Sequence, residues 1–374
     1  MVAGHVVVIG AGVYGAAVAA SLARRGARVT VVDAGAPGGG TSGATFSWVN
    51  SCGKQPRAYH DLNVAGMEAH RALAAGVAGG GWYHEGGNLE WAAGDTGRQE
   101  LREKVAGVVE YGYEARWLSR AQALRLEPGM DPDGLPAGEI AYFPREGWIE
   151  PGRLIGHLLS GAVRGGAALV RDDAVAGLEV NAGAVRAVRL ASGRKFPCDA
   201  VVNCAGPQAA GIAMLAGLAL PMSNTRGVLI YASACAASVS RVIHAPHVHL
   251  RPDGAGLLLH SPQADGAAAR MPGTDESSAR QQAAGEVLKA ARALYPAIAA
   301  ATVESVRVGE RPIPGDGLPV LGRVAGLPGF HFAVSHSGAT LCLHAAELVA
   351  AEALGEDRDD ELAAFRFERL RRTP

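Results

Sequence analysis

Val6-Val7-Val8-Ile9-Gly10-Ala11-Gly12-Val13-Tyr14-Gly15 is the stretch on which the reading of this chain turns. Four β-branched residues in a row make a short buried strand, and the Ala- and Leu-rich residues 16–24 that follow have helical composition. The glycines between them form GxGxxG. Gly10 permits a tight turn, Gly12 lets a pyrophosphate approach backbone at a helix N-terminus, and Gly15 allows helix to pack closely on strand. Gly26 closes the helix, and residues 27–33 (ARVTVVD) read as a second buried strand. Asp33 then falls about 20 residues beyond the glycines, where an acid accepts hydrogen bonds from the ribose hydroxyls of an adenosine. A Gly-rich βα turn can also be only a packing corner. Strand, helix and acid together favour the dinucleotide, without separating NAD from FAD.

Outward from this unit, residues 35–43 are a glycine-rich loop and 54–76 a long helical pattern. Residues 82–151 change texture, with aromatics, short strand-like runs and one helical piece at 101–109. Pro151–Arg164 reads as a helix, and Ala168–Val170, 174–180 and Ala184–Leu190 read as short strands. The run 199–206 returns to the first sheet. Segments 222–233, 248–261 and 302–307 are strand-like, 277–294 is an amphipathic helix, and 331–334 followed by 340–354 form a last strand and helix. The expected fold is α/β, with an α+β second part: a Rossmann-type dinucleotide-binding domain and an interleaved substrate domain built on a mixed β-sheet. The first is assembled from 1–85, 150–220 and 300–374, the second from 86–149 and 221–299.

Composition narrows the function. A chain of 374 residues with 48% hydrophobic content can bury a large core, and a formal charge of −1 lacks the basic face of a nucleic-acid binder. The five cysteines are scattered and show no CxxC or zinc spacing, so neither a disulfide framework nor a metal is expected and a reducing cytoplasm fits best. No cationic segment precedes residues 6–9 and no apolar stretch reaches spanning length, so neither a signal peptide nor a membrane span is expected. Alternation along one strand would put His247 and His249, without His244, on the same face, which is no metal site. A GxSxG elbow is absent, so hydrolase chemistry is not indicated.

Several further stretches resemble one family. Thr41-Ser-Gly-Ala-Thr-Phe-Ser-Trp48, Gly147-Trp-Ile-Glu-Pro151, DAVVNCAGPQ at 199–208, GERPIPGDGLPVLG at 309–322 and His336-Ser-Gly-Ala-Thr-Leu341 occur in the order found in the FAD-dependent D-amino-acid-oxidase superfamily, which includes glycine oxidases, sarcosine oxidases and D-amino-acid dehydrogenases. The resemblance implies non-covalent FAD, because the tethering cysteine of the sarcosine-oxidase branch is missing from 306–315. Val13, Tyr14, Asp33 and Ala34 would hold the ADP half together with the glycines, and Val175 would reach the adenine through its backbone. Thr41, Ser42, Phe46, Ser47 and Trp48 would flank the route to the flavin, with Ala205 and Gly206 from the returning strand. Ser337, Gly338, Ala339, Thr340 and Leu341 would aim a helix N-terminus at the flavin N1/C2 oxygen, where the reduced ring carries negative charge.

At the reacting end the resemblance points to Arg311 as a carboxylate anchor, His249 in the place of a glycine-oxidase tyrosine, and His336. An arginine braced by Glu310 or Asp316 and a solvated strand histidine remain open for the first two. Gly338 stands where glycine oxidase has a second arginine, and Cys342 where sarcosine oxidase has a lysine, which leaves room for an amine without an α-carboxylate. The implied activity is dehydrogenation of the C–N bond of a small amine or amino acid by hydride transfer to flavin N5. The enzyme would be an oxidase using molecular oxygen, or else a dehydrogenase or biosynthetic enzyme with another acceptor, another substrate or a partner protein. No lysine in 249–260 matches the oxygen-activating one of the sarcosine-oxidase branch.

Overall fold

The computed structural model describes residues 4–270 and 276–372. His5–Ile9 lies inside a six-stranded sheet, paired in parallel with Arg28–Val32 on one side and Ala200–Asn203 on the other. Its β-branched run is buried on both faces: Val6 and Val8 enter one core and Val7 and Ile9 another, so apolar residues continue without alternation. Ala168–Val170 and Phe330–Val334 extend the parallel array, and Val320–Arg323 closes it as an antiparallel edge. The helices Val13–Arg24, Pro151–Arg164 and Gly338–Ala353 cover one face. A meander of Val175–Asn181, Ala184–Leu190 and Lys195–Pro197 covers the other.

The turns are where local chemistry fixes the path. Gly26 takes a φ of +79°, and its N–H and that of Ala27 bond back to Ala23 and Leu22, which ends the first helix. Pro151 starts its helix at a position whose N–H would have no intrahelical acceptor.

The second sheet has eight strands in the order Val303–Arg311, Thr225–Ala232, Gly256–His260, Val248–Asp253, Val242–Ala245, Asn88–Glu90, Ile140–Phe143 and Arg116–Leu118. It is mixed: Val242–Ala245 runs parallel to Asn88–Glu90 and the other pairings are antiparallel. Ile230, Ile243, Leu250 and Leu259 face the apolar side, packed with Ala284, Val287, Leu288 and Ala291 of the helix Glu276–Leu294. Leu229, His244, His249 and His260 alternate with them and face the other way, towards the first domain. A small sheet of Trp48–Val49, Gly147–Ile149 and Tyr83–His84 lies between.

Three expectations are corrected here. Val303–Arg311 is nine residues long and forms the edge of the eight-stranded sheet, not part of the nucleotide-binding piece beginning at 300, because it pairs with Thr225–Ala232 along its whole length. The segment 248–261 is a hairpin, not one strand: Gly254 takes a φ of +60° and reverses the chain. The last helix starts at Gly338 rather than 340.

Candidate active site

Residues from both sheets enclose a cavity of about 1410 Å³, larger than the roughly 300–1,000 Å³ of an ordinary small-ligand site. At one end stands the Gly-rich turn. A Cβ on Gly10, which has a φ of +99°, would meet the Cys204 carbonyl oxygen at 2.5 Å, and one on Gly15 would collide with the Gly10 carbonyl. Those two glycines serve packing. Gly12 meets only the Ser42 hydroxyl, so its backbone is open to the cavity where the helix Val13–Arg24 begins. The Val13 N–H donates to Ser42 Oγ at 3.1 Å. Unpaired N–H groups and the helix dipole make this mouth suited to an anion.

Asp33 lines the cavity, and its carboxylate is already engaged. Oδ2 accepts the Ala11 N–H at 2.6 Å and Oδ1 the Gly35 N–H at 2.8 Å, so it bolts the Gly-rich turn to the end of the second strand. Each oxygen keeps a lone pair for a hydroxyl donor. Ala205 and Gly206 form the opposite wall. Ala34 is exposed and Val175 starts the meander; neither lines the cavity.

A second helix mouth opens further in. Thr340 and Leu341 bond their N–H groups to the Ser337 carbonyl at 3.0 and 2.9 Å, so Ser337, Gly338 and Ala339 form the open end. Leu341 is fully buried and turned away from the cavity, and Cys342 sits in the core with Sγ 3.9 Å from His70 Nε2. This mouth is rigidly held. Tyr14 and Tyr59 hydroxyls bond the Ser335 and Ser337 hydroxyls at 2.8 and 2.6 Å, and His70 Nε2 donates to the Ala339 carbonyl at 2.8 Å. Gly66 lets the helix Arg57–Ala75 touch the Thr340 carbonyl. His336 also lines the cavity; burial, then the charges of Lys54 and Arg311, push its imidazolium down to about 4, so the ring is neutral near pH 7.

The eight-stranded sheet forms the roof. Its registers put Arg307, Leu229, His260, His249, His244 and Glu90 in one row across six strands. His244 and His249 rings lie 4.4 Å apart, and His249 Nδ1 is 3.3 Å from His260 Nδ1. Burial, then the charges of His260 and Lys104, push His249 down to about 3, and burial pushes His244 well below the usual imidazole range. His247, expected on one face with His249, is exposed in the turn between Val242–Ala245 and Val248–Asp253. Among the described residues no group of three or more His, Cys, Asp or Glu is arranged to hold a metal.

Arg311 reaches into the cavity but is not braced by Glu310 or Asp316. Glu310 accepts from Asn224, and Asp316 pairs with Arg369 at 2.6 Å. The partner of Arg311 is Asp265, at 2.7 Å from Nη2, on the helix Pro262–Arg270. Gly227 supplies the bed, since a Cβ there would strike the guanidinium. The glycine opposite it, Gly309, lies against the Ala44 carbonyl of the cavity loop. Asp265 also accepts the Val228 N–H at 2.7 Å and faces His260 Nε2 at 2.8 Å. Burial would raise its carboxyl, but the bonds from His260, Val228 and Arg311 outweigh that and hold it below the ordinary range.

Behind the roof Glu146 is fully buried and collects donors: Trp48 Nε1 at 3.1 Å, Cys52 N–H at 2.9 Å, Ser51 N–H at 3.3 Å, the Tyr113 hydroxyl at 3.0 Å and Asn88 Nδ2 at 3.2 Å. Asn88 Oδ1 then receives His244 Nδ1 at 2.7 Å. Glu146 thus fixes Trp48 and, through Asn88, the first histidine of the row. The loop leading to Trp48 turns at Ser47, whose φ of +57° is left-handed, and the buried Arg251 holds the Phe46 carbonyl at 2.7 Å. Phe46, Trp48 and the ion pair Lys104–Glu90 complete the wall.

His244, His260, Asp265, Asn88 and Glu146 were not among the residues expected from sequence. Turn chemistry carries the signal for the first two. Asp253-Gly254 and Pro246-His247 are turn dipeptides, and folding the chain back at each brings 249 opposite 260 and 244 opposite 249. Glu146 has no such local mark.

Residues 5–352 match the family described as DAO, FAD dependent oxidoreductase. The chain is 25% identical over 373 residues to glycine oxidase of Bacillus licheniformis, covering 97% of this chain and 96% of that protein. Among solved structures, glycine oxidase from Geobacillus kaustophilus superposes with a TM-score of 0.85 at 24% identity, covering 98% and 99% of the two chains. An iminodiacetate oxidase from Chelativorans sp. superposes with a TM-score of 0.79 at 26% identity, covering 96% and 98%.

Proposed function

Because the chain belongs to the DAO family of FAD-dependent oxidoreductases, we propose that it dehydrogenates the C–N bond of a small amine, with the reacting carbon held between the helix mouth at Ser337–Ala339 and the histidine row. The observation that supports this most is the continuity of one cavity from the Gly-rich turn to the sheet roof. Its two open helix N-termini suit the two anionic parts of the cofactor, the pyrophosphate and the reduced ring. When bound, FAD supplies the hydride acceptor, and the protein supplies position and electrostatics.

On this reading Gly12, Val13 and Ser42 meet the pyrophosphate and Asp33 the ribose. Phe46 and Trp48 exclude water from the substrate end, where neutral imidazoles and a charge-balanced Arg311–Asp265 pair face the amine. The balanced pair favours an amine without a free carboxylate over a simple amino acid. The two relatives named for glycine and iminodiacetate keep the carboxylated substrates in the test. We place the protein in a reducing cytoplasm, in keeping with its five free thiols; no helix among the described residues is long and apolar enough to cross a membrane.

The deciding experiment is anaerobic flavin bleaching with glycine, sarcosine, iminodiacetate, D- and L-alanine, benzylamine, lactate and glycerol 3-phosphate. Bleaching by amines supports the reading; bleaching by the hydroxy compounds alone overturns it. Peroxide formed in air then identifies oxygen as acceptor, and turnover only with an added dye identifies a dehydrogenase.

Acid-denatured protein should release its flavin into the supernatant. Cys204 is the one cysteine on the cavity wall among the described residues, and burial drives its thiol well above the usual range, so it is no thiolate nucleophile at pH 7. Flavin that stays with the precipitate would contradict this.

Asp33→Ala should do two things. It should weaken FAD, and it should destabilise the flavin-free protein by about 2 kcal/mol through the lost charge-assisted bonds to Ala11 and Gly35. An apoprotein that melts as before would leave Asp33 with a ligand role only.

A further inference from the structure

The histidine row ends in a carboxylate, and its hydrogen bonds fix which ring nitrogens carry protons. Two groups compete at His260 Nε2: Asp265 Oδ2 at 2.8 Å and Arg311 Nη2 at 3.1 Å. An unprotonated Nε2 would set its lone pair against the carboxylate at the shorter distance, so Nε2 is the protonated nitrogen and donates to Asp265. In the neutral ring His260 Nδ1 is then an acceptor, and the group facing it at 3.3 Å, His249 Nδ1, bears the proton. His249 is thereby left with Nε2 as its lone-pair nitrogen, on a ring that lines the cavity.

The same logic excludes His244 from the chain. Asn88 gives its amide protons to Glu146, so its oxygen takes the proton of His244 Nδ1, and His244 is locked to the wall behind.

We propose that His249 is the acceptor for the proton that an ammonium substrate must lose, and that His260 and Asp265 draw the resulting charge out of the substrate pocket. The step moves protons only. The R–NH₃⁺ group gives one proton to His249 Nε2, His249 Nδ1–H passes one to His260 Nδ1, and the positive charge rests on His260 beside the Asp265 carboxylate. The amine is left neutral with the lone pair that hydride departure requires. His249 touches the substrate; His260 and Asp265 are positioning residues.

The surroundings support this direction. His249 is faced by His244, by Lys104 with its partner Glu90, and by His260, while the balancing carboxylate and guanidinium of Asp265 and Arg311 lie beyond His260. Burial first, and then the charges of His260 and Lys104, disfavour an imidazolium at His249 and hold it down to about 3. His260 has the carboxylate that His249 lacks.

The inference rests on the amine-oxidation reading, and the test separates the two. Flavin reduction by glycine and by benzylamine is followed anaerobically from pH 6 to pH 10 in wild type, His249→Phe, His249→Gln and His260→Phe, each with its flavin content measured. An enzyme able to deprotonate bound ammonium should keep kcat/KM nearly level below the pKa of the amine. The variants, restricted to amine that is already neutral, should lose about tenfold per pH unit there, reach a deficit of about 10²-fold or more at pH 7, and converge with wild type above the amine pKa. A loss equal at all pH values, or a wild type with the same tenfold slope, overturns the relay. Absence of bleaching by any amine at any pH overturns the oxidation reading and the relay with it. A readout independent of turnover is the ¹⁵N spectrum of histidine-labelled, FAD-loaded protein at pH 8, which should show His249 as the Nδ1–H tautomer and His260 as Nε2–H. The opposite tautomers overturn the proposal even if the rates agree.

Discussion

Glu146→Ala should destabilise the protein by about 3–5 kcal/mol, since each buried donor stranded without an acceptor costs about 1–3 kcal/mol and removal of a buried charge returns part of the sum. Six donors converge on that carboxylate, from Trp48, Ser51, the N–H and thiol of Cys52, Asn88 and Tyr113. They come from three separate stretches of chain, 48–52, 88 and 113. Glu146→Gln keeps one oxygen and should lose about half as much. Burial, outweighing the bonds that oppose it, holds this carboxyl above the ordinary glutamate range. The native state therefore binds its proton more tightly than the unfolded chain does, and stability from this group falls as pH rises through the window just above the usual value of about 4. The glutamine variant should lack that slope. Denaturant midpoints for the three proteins between pH 4 and pH 8 check both statements, and an alanine variant within about 1 kcal/mol of wild type would remove Glu146 from its structural role.

Arg311→Ala and Asp265→Asn should change substrate selectivity in opposite directions. With the arginine gone, the Asp265 carboxylate is uncompensated in the cavity: a carboxylated amine is repelled while a simple ammonium is not. With Asp265 neutral, the guanidinium lying over Gly227 is free to take a substrate carboxylate. A charge-assisted pair of this kind is worth about 1.5–3 kcal/mol, or roughly ten- to hundredfold in kcat/KM. The ratio of benzylamine to glycine reactivity should rise by that factor in Arg311→Ala and fall in Asp265→Asn. Any damage to the proton relay by Asp265→Asn lowers both substrates together and leaves the ratio unaffected. Ratios unchanged in both variants, with flavin retained, would reduce the pair to a brace between strand and helix.

The contrast between these residues shows what could be read in advance. The first βαβ unit was legible because its parts are adjacent in sequence: a β-branched run, three glycines, a helix and an acid. The family resemblance likewise pointed to 337–341, where a helix begins at the cavity with the N–H groups of Thr340 and Leu341 bonded to the Ser337 carbonyl. Arg311 was legible as a cavity residue and not as half of an ion pair, since Asp265 lies on a helix that no local pattern ties to it. The histidine row needed two turns to be recognised within a stretch treated as continuous strand, and a missed turn shifts every later residue to the wrong neighbour. The boundary drawn at 300 failed for a related reason: residues 303–311 look like any half-buried strand, and only long-range pairing assigns them to a sheet.

The position of His5–Ile9 within its sheet also sets a timetable. One neighbour, Arg28–Val32, leaves the ribosome almost at once; the other, Ala200–Asn203, is nearly two hundred residues away. At translation rates of about 5–20 residues per second, an apolar edge waits about 10–40 s for its cover. Through that interval Val6, Val7, Val8 and Ile9 are exposed along one hydrogen-bonding side, open to pairing with other chains. The strand at the heart of the nucleotide site is thus made well before the sheet around it can close, so the nascent chain carries an aggregation hazard that the finished fold does not.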